Sequence, residues 1–137
     1  MRVVPGLVEG PFADETEFKG AVVKRLSALG EASFFCIETE ETIPGFPDVL
    51  KLPLDRYQTN ATMIEFKCSD ASGKIAFKKS QPLFYRQNYK KHWILILAWD
   101  KRTSQSICFT AEEILKYKSL SIRLPRHVDY AMKPEEI

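Results

Sequence analysis

Apolar residues recur along this chain with two different periods, and each change of period marks an element. In "DETEFKGAVVKRLSALG", Phe18, Val22, Leu26 and Leu29 fall three or four apart, the spacing of one helix face. Asp14 stands at the N-cap position and Gly30 at the C-cap position, so the pattern predicts a helix between them. "ASFFCIET" and "FPDVLKL" have strand composition instead, and the turn-rich "EETIPG" between them predicts a hairpin-like pair. "ATMIEFKC" predicts a third strand. After a turn at Gly73, "SQPLFYRQNYKK" returns to helical spacing, with Ser80 as the cap and Pro82 in the first turn, where its missing N–H is tolerated. "HWILILAW" is a continuous apolar run, the pattern of a strand buried on both faces. "SQSICFT" predicts a short fifth strand, and "TAEEILKYKSL" a last helix opened by the capping box Thr110-x-x-Glu113. Residues 121–137, with Pro125 and Pro134, are expected to be irregular.

The order α-β-β-β-α-β predicts an α/β fold around a mixed sheet of four to five strands, the early strands joined by turns and the later one by a crossover helix. No repeat, low-complexity tract or Gly/Ser linker interrupts it, so residues 1–137 are expected to form one domain with its core at about 14–120 and a tail at 121–137. A hydrophobic content of 45% with 28% charged residues is that of a soluble globular chain, and "WILILAW" is far too short to span a bilayer. The start "MRVVPGLVEGPF" lacks the apolar region and cleavage site of a secretory signal, which predicts a cytoplasmic protein. Cys36, Cys68 and Cys108 make an odd count with no Cys-x-x-Cys pair, so reduced, mostly buried thiols are expected. His92 and His127 are too isolated for a zinc cluster.

Chemistry enters with the third strand. Its period of two sends Met63, Glu65 and Lys67 to one face and Ile64, Phe66 and Cys68 to the other. An acid and an ammonium side by side on a strand must pair, face solvent or hold a ligand, because burying either alone costs several kcal/mol. Asp48, on the strand expected alongside, is the natural third member. Two carboxylates on adjacent strands repel unless a cation lies between them, and hard-oxygen ligands suit Mg²⁺ or Mn²⁺. A lysine there can position a water and stabilise charge on a phosphate, which points to metal-assisted phosphodiester hydrolysis. Net charge is only +2, but residues 67–102 hold nine Lys/Arg against two Asp/Glu, while residues 1–50 hold four against nine. Such a block reads either as a solvated face or, more sharply, as the surface for a polyanion partner.

Pro47-Asp48, a gap, then Glu65-Phe66-Lys67 resembles the signature of the PD-(D/E)xK nuclease superfamily. Gln81-x-x-x-Tyr85 is similar to a helix of the branch that holds archaeal-type Holliday junction resolvases, VRR-NUC domains and small phage endonucleases, and "GKIAFKKSQ" before it is similar to phage members. The resemblance covers roughly residues 14–99. It implies a restriction-endonuclease-like core, a divalent-metal-dependent endonuclease acting on DNA, extending to branched or junction DNA, and a bacterial or phage-infected host cytoplasm. It further implies Asp48 and Glu65 as metal ligands, with the Phe66 carbonyl adding a backbone oxygen. Lys67 would position water and phosphate, Gln81 would project toward Lys67, and Tyr85 would buttress Gln81. Resolvases cut paired strands as symmetric dimers, so a homodimer is implied, although no dimer surface stands out in the sequence.

The superfamily also places one acid on the first helix, and two are present. At about 100° per residue Glu15 falls within the apolar stripe, whereas Glu17 falls near the opposite side and fits the third position of a capping box. Glu15 is therefore expected to complete the site. Lys74, Lys78, Lys79, Arg86, Lys90 and Lys91, with Tyr85, form the candidate nucleic-acid-binding set. Phe84, Tyr85 and Tyr89 lie at helical spacing, a pattern more typical of core than of base stacking. The competing reading is a non-catalytic nucleic-acid-binding or assembly module with a structural metal site.

Overall fold

The computed structural model of the protein describes residues 1–37, 43–54 and 61–137. Helix α1 (Glu15–Ala28) begins where the sequence predicts, the Asp14 carboxylate accepting the Glu17 amide at 3.0 Å. Phe18, Val22 and Leu26 bury its inner face. It stops at Leu29 and Gly30, whose φ of +73° suits a residue without a Cβ.

Six strands form the main sheet: β1 (Arg2–Val3), β2 (Ala32–Cys36), β3 (Val49–Pro53), β4 (Thr62–Cys68), β6 (Trp93–Asp100) and β7 (Gln105–Thr110), in the order β1-β7-β6-β4-β3-β2. The early strands β2, β3 and β4 pair antiparallel, while β4 and β6 are parallel. A parallel pair needs a long crossover. Strand β5 (Lys74–Ala76) and helix α2 (Ser80–Asn88) supply it. The run in β6 is apolar throughout because both of its faces are covered. Leu97 and Trp99 join Phe18, Val22 and Leu26 in one core, and Ile94, Ile96 and Ala98 join Phe84 and Tyr85 of α2 and Ile114 of α3 (Ala111–Leu115) in the other. The molecule is thus α/β, with a mixed sheet between helices. Among the described residues no helix is long and apolar enough to cross a membrane.

Several expectations are corrected. The sheet has six strands rather than four or five, because Arg2 and Val3 pair with Cys108 and Ile107. The tail is not wholly irregular: β8 (Ser121–Arg123) pairs with β5, Ala131 bridges Val3, and Leu124, Met132 and Ile137 are buried, so the core runs past 14–120 at both ends. The last helix ends at Leu115 rather than near Leu120. Ser80 is no cap; it is the first residue of α2, and the preceding Lys79 makes no side-chain cap. Cys36 is exposed and Cys108 buried. The ends of "ASFFCIET" and "EETIPG" that fall in 38–42, and the segment 55–60 of "PLDRYQTN", lie outside the described residues.

Two close approaches hold the site's surroundings. Gly45, at φ +82°, brings its loop so near the first turn of α2 that a Cβ there would run into the Ser80 carbonyl. Phe46 packs on Phe84 with ring centroids 5.3 Å apart. The loop that leads into Asp48 is therefore seated on α2. At the far end of β6, the fully buried Asp100 carboxylate pairs with Arg102 at 3.1 Å, and the same guanidinium donates to the Leu124 carbonyl at 2.5 Å.

Candidate functional site

Strand β4 carries Glu65 and Lys67 toward α2, and both are buried, at 2% and 7% exposure. Buried charges need partners, and Gln81 provides for both. Its Nε2 donates to Glu65 Oε1 at 2.7 Å, while its Oε1 accepts from Lys67 Nζ at 3.0 Å. The same Oε1 accepts from the Lys78 backbone N–H at 2.9 Å, so this side chain also ties down the turn that leads into α2. Lys67 Nζ lies 4.8 Å from the centroid of the Phe77 ring, a cation–π contact that seats the ammonium from a second side.

Asp48 stands just before β3, where the pairing with β4 ends at Val49 and Ile64. Its Oδ2 accepts from the Phe66 N–H at 3.0 Å, and its backbone carbonyl accepts from the Ile37 N–H at 2.8 Å. The side chain thus takes the place of the next ladder bond. A strand residue's N–H and C=O point to the same side, so the Phe66 carbonyl faces the gap beside Asp48. Glu65 is hydrogen-bonded to Asp48, and its pKa is pushed up to about 10, first by burial, then by that hydrogen bond and the Asp48 charge, with Lys67 opposing. Burial and the Asp48 charge thus favour the protonated form of Glu65, whose proton can bridge two carboxyl groups that would otherwise repel. A cation of hard-oxygen preference can do the same. Asp48, Glu65 and the Phe66 carbonyl are a donor set that fits Mg²⁺ or Mn²⁺ chemically, though among the described residues no three His, Cys, Asp or Glu side chains group closely enough to hold a metal ion.

Glu15 sits differently from expectation. Helix α1 covers the Phe66 face of the sheet, opposite to Glu65 and Lys67, and the buried stripe begins only at Phe18, leaving Glu15 with exposed surface. Its carboxyl is nevertheless held above the ordinary range by desolvation, with Lys67 lowering it and Asp48 raising it. The helix start thus brings Glu15 into the field of the site. Glu17 serves the helix start as expected but not through a capping box: its Oε2 accepts the Ala13 N–H at 2.8 Å, one residue before the N-cap Asp14.

Tyr85 is fully buried, its ring 6.2 Å from that of Phe77. Its hydroxyl has no hydrogen-bond partner among the described residues and does not bond Gln81. Burial, then the charges of Glu65, Asp48 and Glu15, hold its pKa well above normal. As a buried ring it cannot stack on a base, which removes it from the nucleic-acid-binding set as a stacking group. Phe84 is buried as well. Lys74, Lys78, Lys79, Arg86, Lys90 and Lys91 are all exposed. Lys78 and Lys79 adjoin Gln81, whereas Lys90 and Lys91 lie beyond the far end of α2, roughly 13 Å along its axis. His92 is exposed, and His127 pairs with Asp129 at 2.9 Å, both apart from the acids. The sequence reading missed Phe77; "IAFKK" offers no signal beyond an aromatic ahead of two lysines. No protein-family model matches the chain, and no curated protein matches it.

Proposed function

We propose that this chain is a divalent-metal-dependent endonuclease hydrolysing phosphodiester bonds in DNA, with a restriction-endonuclease-like core of the PD-(D/E)xK type. One observation carries the reading: an acid and an ammonium, both buried on one face of β4, share a single glutamine amide beside a second acid. A fold gains little from burying such a set, since an apolar core of equal volume is often as stable.

Asp48, Glu65 and the Phe66 carbonyl would hold the metal, with Glu15 adding charge from the helix start. Mg²⁺ or Mn²⁺ held there supplies a Lewis acid for the phosphate and acidifies water. Lys67 orients the attacking water and offsets charge developing on the phosphate. Gln81 fixes the Lys67 ammonium and the Glu65 carboxyl in one geometry, and Lys78 and Lys79 attract the DNA backbone.

Supercoiled plasmid is incubated with Mg²⁺, Mn²⁺ or EDTA and scored for nicking. The parent should cut only with metal. Asp48→Asn and Glu65→Gln should abolish cutting, and Lys67→Ala should abolish it while keeping metal binding by calorimetry, because the lysine contributes no ligand atom. A four-way junction and a nicked duplex beside plain duplex rank the substrates. A parent that cuts none of these in either metal leaves the non-catalytic binding module standing instead.

A further inference from the structure

We propose that the groove between α2 and the loop after α3 receives one unpaired nucleotide of the DNA strand being cut, its base on Tyr117 and its phosphate between Arg86 and Lys118. The inference rests on the nuclease reading above. The groove has a volume of about 350 Å³. That is the small end of ligand pockets, roughly 300–1,000 Å³, and suits a nucleotide rather than a helix or a duplex.

Its charge selects the occupant. Arg86 and Lys118 line it together with apolar side chains, and no acid does. Its position ties it to the site: Phe77 lines it, and the Phe77 ring centroid lies 4.8 Å from Lys67 Nζ. Pro82, the residue after Gln81, forms another part of the wall. Groove and ammonium thus share Phe77 as a neighbour.

The shape is held before any ligand arrives. Helix α3 stops at Leu115, the Tyr117 N–H donates to the Ile114 carbonyl at 3.1 Å, and the Phe77 N–H donates to the Leu120 carbonyl at 2.8 Å. A loop pinned at both ends leaves Tyr117 42% and Leu120 38% exposed. An exposed aromatic beside cations is the composition of a surface that stacks bases and tracks a single strand. A base paired within a duplex cannot enter, so gapped, flapped or branched DNA, which carries unpaired nucleotides, is favoured over intact duplex.

The full chain is titrated in EDTA, where nothing is cut, against a single-stranded oligonucleotide carrying one 2-aminopurine and against a plain duplex. The parent should quench the 2-aminopurine. Tyr117→Ala should weaken single-strand binding about tenfold and abolish the quenching while leaving duplex binding unchanged, and Tyr117→Phe should bind like the parent. No loss in Tyr117→Ala, as a peptide or small-molecule occupant would give, or an equal loss on duplex, overturns the proposal. Plasmid nicking is scored separately: a parent that binds through Tyr117 but never cuts sinks the nuclease reading alone, and a parent that cuts with Tyr117→Ala unaffected on every substrate sinks the groove alone.

Discussion

Glu65 is a residue whose protonation the fold controls. Its ordinary value is 4.5, and the folded protein raises it to about 10. Between these limits the folded chain keeps a proton that the unfolded chain releases. The stabilisation is therefore complete below the ordinary value and declines as pH rises toward the folded one. Glu65→Gln copies the protonated acid: its amide oxygen can accept from Gln81 while its amide nitrogen donates to Asp48. In thermal melts without metal, the parent should lose stability between pH 5 and pH 8 and the variant should lose less, and equal slopes would refute the assignment of the proton. The adjacency of Glu65 and Lys67 was legible from a period of two. The approach of Gln81 to Lys67 was implied by the family resemblance, but its second bond, to Glu65, was not legible, because only the packing of α2 on β4 reveals that one glutamine spans both groups.

At the scale of elements, the approach of the Gly45 loop to α2 sets where Asp48 stands. Gly45→Ala adds a Cβ against the Ser80 carbonyl and forces a residue with a side chain into φ +82°. Left-handed strain alone costs roughly 1–2 kcal/mol. The loop should lift from α2, lowering the melting temperature and weakening metal-dependent cleavage together; unchanged cleavage at the lower melting temperature would mean that Asp48 is held by the Phe66 amide alone. Helix α1 could be read from its cap and stripe, since both signals are local. The end of α3 could not. "KYKSL" contains good helix formers, but the Leu120 carbonyl is taken by Phe77 and the next residues pair with β5, so tertiary hydrogen bonds end the helix early. β1 escaped notice because two residues have no period to read.

Across the whole molecule, basic charge gathers in residues 67–102, yet only part of it borders the acids. Lys78→Glu with Lys79→Glu should weaken binding of unrelated DNA sequences alike and make the salt dependence shallower. The same reversal at Lys90 and Lys91, beyond the far end of α2, should do less. Equal effects of the two pairs on binding and on salt slope would move the DNA path away from Gln81. Charge counts along the sequence predicted a polyanion partner without distinguishing these pairs, since helix length separates in space what lies close in sequence.

The strand order β1-β7-β6-β4-β3-β2 also fixes a timetable for synthesis. Strands β2, β3 and β4 are sequential neighbours and can pair soon after they leave the ribosome. Strand β6 must wait for the crossover that lays it parallel to β4. Residues 2 and 3, made before the other strands, have no partner in the sheet until Ile107 and Cys108 emerge. The nascent chain therefore carries β1 unpaired until β7 is made, and a stall before β7 leaves one side of β6 as an open, apolar sheet edge of the kind that chaperones hold and that aggregates when they do not.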